Sequence, residues 1–354
     1  MANYVKKESI FLKIAKYLFP WKGDSVTEIL RKIIFLAAAV VLIVSLTLLL
    51  TQTTNQIEDN KTNDIISDLY HSGSDAVTSG NTTLQLDTTK QEQIREENPE
   101  ILEEFIPLLD INEDIVGWIT MGDENDPFVD YPIVQGDDND YYLTHNINGD
   151  KSVSGAIFAD YREPLTADSE PANLILYGHN VASGEYFGMV PRYFNYKPGQ
   201  TGNLDYHKAY PTFTYSSLYE KYTYKIFAGM MVNTETTEGD VFYYLRGRNF
   251  ATKTDFDEYV AQILDRSTFF TDVDLKYGDH LITLSTCVLD YGVEARWVLF
   301  GRRVREGEDP TVDVSKTRVN PDPLFFDYYY RNFSSKDGWG GRKWPAEMIY
   351  GYTY

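Results

Sequence analysis

A mainly β fold, a barrel or sandwich entered through helical segments and interrupted by one helix, is predicted by three features of the chain. From Asp114 onward, short aromatic and β-branched runs (115–120, 128–134, 155–159, 173–177 and 222–228) are separated by Gly, Pro, Asn and Asp. Many short strands punctuated by turn signals are the pattern of closed or stacked β architectures. One amphipathic repeat interrupts them, with Phe256, Tyr259, Val260, Ile263 and Leu264 at i, i+3, i+4, i+7 and i+8. Asp255 reads as its N-cap and Glu258 as the N3 glutamate. The last two strand-like runs, 281–287 and 294–300, flank Asp290-Tyr-Gly292, whose residues favour a turn, so they read as a hairpin.

The elements before the β region follow in order. Residues 1–32 are basic, with Lys6, Lys7, Lys13, Lys16, Lys22, Arg31 and Lys32 against Glu8, Asp24 and Glu28. Residues 33–50 are apolar and uncharged, long enough to cross a bilayer at about 1.5 Å per residue. The run is too long for a signal-peptide core, and no small-residue cleavage site follows it. A single-pass anchor is therefore expected, with the basic N-terminal segment cytoplasmic and everything after Leu50 outside the cell. Residues 51–98, rich in Thr, Asn, Asp, Gln and Ser, read as a stalk with a short helix over 57–70. A loose helical pattern over 91–109 places Ile94, Ile101, Phe105 and Leu108 on one face. Asn98-Pro99 reads there as an N-cap and first helical residue, which divides the stretch into two short helices. Residues 99–305 form the expected catalytic domain. The tail, 306–354, is dense in aromatics (324–330, Trp339, Trp344, Tyr350, Tyr352, Tyr354), too many to remain solvated, and its sequence assigns it no role. No internal repeat is present.

The chain carries a net charge of −21, with the acidic excess lying entirely after the apolar run. Phosphate binding needs a basic face, so nucleic acid is not an expected partner. One cysteine among 354 residues excludes an internal disulfide.

That cysteine, Cys287, ends the run Leu281-Ile-Thr-Leu-Ser-Thr-Cys287, in which Leu281, Thr283, Ser285 and Cys287 share a face. In a hairpin Arg296 falls roughly opposite it, within about 5–8 Å. A thiol beside a fixed guanidinium is set up as a nucleophile with a charge-stabilising partner, whereas a lone Cys by itself is more often a buried structural residue. Such a nucleophile needs a proton-transfer partner, and five histidines are available. His71 sits in the stalk. His145, in Tyr141-Tyr-Leu-Thr-His145, falls in a helical turn, and His207 and His280 stand in turn-like contexts expected at the surface. His179 differs, because the strand 173–177 runs into Gly178-His179-Asn180, where glycine permits an abrupt bend.

Tyr177-Gly-His-Asn180, Thr283-Leu-Ser-Thr-Cys287 and Arg296 together resemble the His, Cys and Arg signature of sortases, the membrane-anchored cysteine transpeptidases of Gram-positive bacteria. Four further runs look like class B: Asp114-Ile-Val-Gly-Trp-Ile119, Val129-Asp-Tyr-Pro-Ile-Val-Gln-Gly136, Asn139-Asp-Tyr-Tyr-Leu143 and Gly155-Ala-Ile-Phe-Ala-Asp-Tyr-Arg162. The helix at 255–266 is similar to the extra helix those enzymes carry between two barrel strands. The likeness covers about residues 100–305; the aromatic tail departs from the pattern. It implies a closed β-barrel, no cofactor, and an enzyme that cleaves a C-terminal sorting signal after threonine. In the implied roles Cys287 attacks the threonine carbonyl to form a thioacyl-enzyme. His179 protonates the departing amine and later accepts a proton from the incoming one, and Arg296 holds substrate and stabilises the oxyanion. Ser285 and Thr286 are candidates for substrate binding, or ordinary strand residues. The implied partners are surface proteins bearing sorting signals and a peptidoglycan-precursor amine; a pilin lysine acceptor, or an inactive surface module, is the alternative.

Other classes fit less well. Papain-like enzymes place Cys before His, and the Ser-His-Gly-Cys run of L,D-transpeptidases is missing. An anchored adhesin would end in a sorting motif and apolar tail, which 348–354 lacks. No His or Cys cluster has metal-ligand spacing, and the acidic stretches 123–126, 136–140 and 272–274 read as solvated turns rather than a calcium loop.

Overall fold

Eight strands close into a barrel in the computed structural model, which describes residues 9–72, 76–79, 82–123, 125–194, 204–239, 241–245 and 249–333. They are β1 (Ile115–Asp123), β2 (Asp126–Val134), β3 (Ile157–Ala159), β4 (Asn173–Tyr177), β5 (Thr212–Ser217), β6 (Lys221–Asn233), β7 (Leu281–Cys287) and β8 (Ala295–Arg303). Around the barrel the order is β7-β8-β6-β5-β1-β2-β3-β4, with β4 closing on β7. Pairs are antiparallel except β2–β3 and β4–β7. Closure pairs every strand on both sides and removes free edges. All eight strands contribute to one inner cluster, which includes Ile119, Ile133, Ile157, Leu176, Tyr215, Ile226, Leu284 and Trp297. The mainly β expectation and the closed barrel both hold.

The helices are α1 (Ile10–Leu18), α2 (Val26–Ser72), α3 (Thr88–Glu97), α4 (Ile106–Ile111), α5 (Asp205–Ala209), α6 (Lys253–Arg266) and α7 (Asp327–Asn332). α6 is the inserted helix, and it begins earlier than its apolar repeat suggested. Thr252, not Asp255, is the N-cap: its hydroxyl accepts from the Asp255 amide while the Asp255 carboxylate accepts from the Thr252 amide, a reciprocal capping box. Phe256, Tyr259, Val260 and Ile263 of α6 pack on Leu281, Val298 and Phe300 of β7 and β8, covering the outer face of that hairpin. At the other helical stretch, Asn98 ends α3 rather than starting a new helix, its amide donating to Ile94 O. Pro99 disfavours helical geometry in the residue before it, which stops α3 there.

The described residues form two units, Met1–Glu58 and Asp59–Tyr354. In the first, Ser9 caps α1, and the Lys32 ammonium donates to Lys16 O (2.6 Å) and Asp24 Oδ2 (2.7 Å). The first half of α2 carries the apolar run, with a mean hydropathy of 3.1 in its most apolar window. The second unit opens with the end of the same helix. Residues 59–72, expected within the stalk, instead enter a core: Ile65, Ile66, Leu69 and Tyr70 are buried with Phe105, Leu108 and Trp118. Tyr70 stacks on Trp118 at 4.2 Å. Asp130 fastens the same segment, accepting from Ser67 (2.5 Å), His71 (2.9 Å), Thr120 (2.9 Å) and the Trp118 indole (2.8 Å).

The described part of the tail is also built into this unit. Arg318–Val319 pairs with Phe269–Phe270, and Leu324, Phe325, Phe326 and Tyr329 are fully buried. Glu308 accepts from both Arg302 and Lys225. Trp339, Trp344, Tyr350, Tyr352 and Tyr354 lie outside the described residues.

Candidate active site

The β7–β8 register sets Cys287 directly opposite Arg296. Residues so paired point to the same face, with Cβ atoms about 4.5–5.5 Å apart. That face is the outer one, which the two strands share with Leu281, Val298 and Phe300 under α6. On the other side of β7, β4 runs parallel, and its last pair is Tyr177 with Ser285. Two residues further along each chain come His179 and Cys287, so the imidazole leaves β4 at the rim where the thiol ends β7. The Gly178 amide donates to Ser285 O (3.2 Å), and the Asn180 side-chain amide donates to Cys287 O (2.8 Å), tying the two segments together. Cys287, His179 and Arg296 are each part-exposed.

His179 Nε2 lies 2.8 Å from Leu143 O. A carbonyl only accepts, so Nε2 carries hydrogen and the neutral ring keeps its lone pair on Nδ1. Gly178 matters for space rather than for a bend: it has no positive φ, but a Cβ there would come within 2.7 Å of the Phe187 ring. Arg296 is aimed by its own loop. Nη1 donates to Ala295 O (3.1 Å) and Val293 O (3.4 Å), and Nη2 stands 3.8 Å from the Glu294 carboxylate, itself held by the Thr234 hydroxyl at 2.9 Å.

Ser285 and Thr286 are 3% and 2% exposed, and their hydroxyls are engaged inside the protein. Thr286 Oγ1 donates to Gly178 O (2.7 Å), whereas Ser285 Oγ is 2.8 Å from the Tyr244 hydroxyl. Tyr244 is the residue that sequence reasoning missed. It sits in an aromatic run 41 positions before Ser285, with no spacing to betray it. Burial raises its phenol above the ordinary value, outweighing the Ser285 hydrogen bond and the Arg296 charge that pull it down. A neutral phenol therefore stands beside the thiol and guanidinium. Asn180, adjacent to His179 in the sequence, was likewise not singled out.

The remaining histidines sit elsewhere. His71 is on Asp130, and His145 stacks on Tyr141 at 4.1 Å. His207, expected at the surface, is fully buried, with Nε2 3.2 Å from Ile226 O of β6 and its ring 5.0 Å from that of Phe269, because the turn that carries it is packed against the barrel. His280 is half-buried and lines a cleft of about 390 Å³ with Asp168, Glu170, Tyr219 and Tyr222, at the Leu281 end of β7 and therefore away from Cys287. Asp138, from an acidic stretch, accepts from the amides of Asp140 and Tyr141 and so closes a turn. Among the described residues no cluster of His, Cys, Asp and Glu is arranged to hold a metal.

No protein-family model matches the chain. It is 36% identical over 217 residues to Sortase B of Listeria monocytogenes, covering 61% of this chain and 80% of that protein. Sortase B of Staphylococcus aureus is 27% identical over 184 residues, 52% of this chain and 67% of the relative. Among solved structures, a Bacillus anthracis protein described as similar to sortase B has 28% identity and a TM-score of 0.53, over 70% of this chain and 96% of the other. With this identity running across most of a curated relative, and the same barrel beneath it, the chain belongs to the sortase B family of cysteine transpeptidases.

Proposed function

We propose that the protein cleaves a C-terminal sorting signal after threonine and transfers the new acyl end to an amine of the cell wall, using Cys287, His179 and Arg296. The observation that carries this reading is the register: Cys287 pairs with Arg296, and His179 leaves the strand on the other side of β7 at the same level. In the first half-reaction the Cys287 thiol passes its proton to the free ring nitrogen of His179, and Sγ attacks the threonine carbonyl carbon. The oxyanion that forms is stabilised by Arg296, worth roughly 3–4 kcal/mol for a well-placed donor. Collapse breaks the peptide C–N bond, the departing amine takes a proton from His179, and a thioester remains. In the second, the acceptor amine attacks the thioester and gives its proton to His179, which returns it to the departing sulfur, so that the amide bond forms, the C–S bond breaks and the Cys287 thiol is restored. Ser285 and Thr286 serve this site by holding the Tyr244 hydroxyl and the Gly178 carbonyl, and contact substrate through backbone groups at the β7 end.

The same reading takes residues 33–50 as the membrane anchor, with 1–32 cytoplasmic, the catalytic domain over 99–305 outside the cell and 306–354 as an extension. The apolar, uncovered first half of α2 and the basic residues before it support that arrangement. To test the reaction, the full chain in detergent is incubated with a library of sorting-signal peptides and the protein mass is measured. A covalent adduct on Cys287 ending in threonine, discharged by an added amine, is expected. Peptide cleavage with no adduct, or an adduct on a different residue, overturns the mechanism.

A further inference from the structure

The chain beyond the last barrel strand returns to the loop that separates Cys287 from Arg296. That loop, 288–294, is held at Val288 and Tyr291, which pack on the inner cluster, and by the Val288 amide on Ala295 O (3.1 Å), while Leu289 and Val293 are 67% and 75% exposed. Its aromatic contacts run through Tyr291, whose ring packs edge-on against Phe333 (5.2 Å between centroids), lies 6.1 Å from Tyr329 and meets Phe194 at 6.2 Å. Tyr329, on α7, is fully buried and in close contact with Phe325 at 4.0 Å, so α7 is itself fixed to the barrel core. A second contact reaches the same loop from the other end of α7. Asp327 lies against Gly239: a Cβ at 239 would come within 2.6 Å of the Asp327 Cβ, and Gly239 has φ +115°. Gly239 O accepts from the Asn233 side chain (2.9 Å). In that same turn, the Thr234 amide and hydroxyl hold Glu294 by its carbonyl (3.1 Å) and its carboxylate (2.9 Å). Glu294 is the carboxylate 3.8 Å from Arg296.

We propose that α7 and Phe333 of the C-terminal extension form a positioning element of the active site. Phe333 and Tyr329 act through Tyr291, and Asp327 acts through the 234–239 turn and Glu294, to fix the guanidinium of Arg296 opposite the thiol of Cys287. The inference rests on the preceding assignment of Cys287 and Arg296 as a working pair. It gives the aromatic density of the tail a catalytic purpose beyond burial, since Tyr291, which lies between Cys287 and Arg296 in the chain, meets the tail rings directly.

The test uses the full chain in detergent and the rate of alkylation of Cys287 by iodoacetamide at neutral pH, followed by mass; the protein has no other cysteine. Arg296→Ala is expected to slow alkylation about three- to tenfold, because the thiolate loses its cation. Phe333→Ala and Tyr291→Leu are expected to slow it by a similar factor, and Phe333→Tyr to restore the rate. Combined with Arg296→Ala, neither should slow it further, as groups that act through one another are not additive. Leu324→Val, at a buried tail position whose amide donates to Asp265 O (3.0 Å), should lower the melting temperature and leave the rate unchanged. Tyr291→Leu alters the loop side alone, so it remains informative if the tail variant folds poorly. Wild-type rates in both Phe333→Ala and Tyr291→Leu, or full additivity with Arg296→Ala, overturn the proposal. A wild-type rate in Arg296→Ala instead overturns the Cys287–Arg296 pairing on which it rests.

Discussion

Cys287 and Arg296 meet because two adjacent strands of a hairpin are in register, and His179 joins them because a parallel strand ends two residues earlier. Each therefore has a fixed place that a conservative substitution does not reproduce. Cys287→Ala is expected to abolish both cleavage and transfer with the fold intact, since no second thiol exists; transfer by the purified variant would place the nucleophile elsewhere. Arg296→Lys keeps the charge but loses the planar fork that donates to Ala295 O and Val293 O while facing substrate. Its turnover is expected to fall by about 10²-fold, the scale of a lost oxyanion donor, and near-normal kcat would reduce Arg296 to a general electrostatic role. Among the histidines, only His179→Ala should eliminate peptide transfer with an unchanged circular dichroism spectrum. His145 is stacked on Tyr141 and His71 is bound to Asp130, so their replacement should leave transfer close to normal. A dead but folded His145 or His280 variant would contradict the assignment.

At the level of elements, the end of α2 behaves as part of the catalytic unit. Ile66 and Leu69 are 1% and 0% exposed, and Tyr70 covers the indole of Trp118. Leu69→Ala should therefore lower the unfolding free energy by about 2–5 kcal/mol, the range for a buried leucine that leaves a cavity. A chain shortened to begin at Pro99 should expose Trp118 and melt well below one beginning at Asp59, by differential scanning calorimetry; equal melting temperatures would show that the helix end adds nothing. The polar composition of 51–98 concealed this, because Ile65, Ile66, Leu69 and Tyr70 lie among Asn, Asp, Ser and Thr that average them out. In α6 the apolar stripe was legible but its start was not. Thr252 and Asp255 cap through each other's backbone amides, a reciprocal pairing that the apolar periodicity does not mark.

For the whole molecule, acid should act in two steps. Burial lowers His207 below its ordinary value, partly offset by its bond to Ile226 O. The unfolded chain then binds a proton that the folded one refuses, so stability present above about pH 6.5 declines as pH falls below it. Asp160, fully buried, is pushed up by burial but pulled down further by Arg162 and Tyr177, to about 2. Its stabilisation, present above its ordinary value near 3.8, is lost as pH falls toward about 2. Urea midpoints measured from pH 8 to 2 should show His207→Gln flattening the upper decline and Asp160→Asn flattening the lower one. An unchanged slope between pH 7 and 5 in His207→Gln would mean that the imidazole is not the group titrating there.

What the sequence determined by itself is what local order can encode. Alternation and turn residues defined most of the barrel strands, and the hairpin placed Cys287 against Arg296 because the two are near in the chain and joined by a short loop. A glycine-histidine pair at a strand end marked His179. Only the tertiary structure decided the contacts that cross long separations. Asn180 reaches Cys287 across 107 positions and Tyr244 reaches Ser285 across 41. His207 is buried by strands that flank it only after closure, and the tail aromatics find Tyr291 only once the barrel has turned both toward each other. Such pairings are fixed by which surfaces remain apolar when the barrel closes, and no periodicity within one segment carries that information.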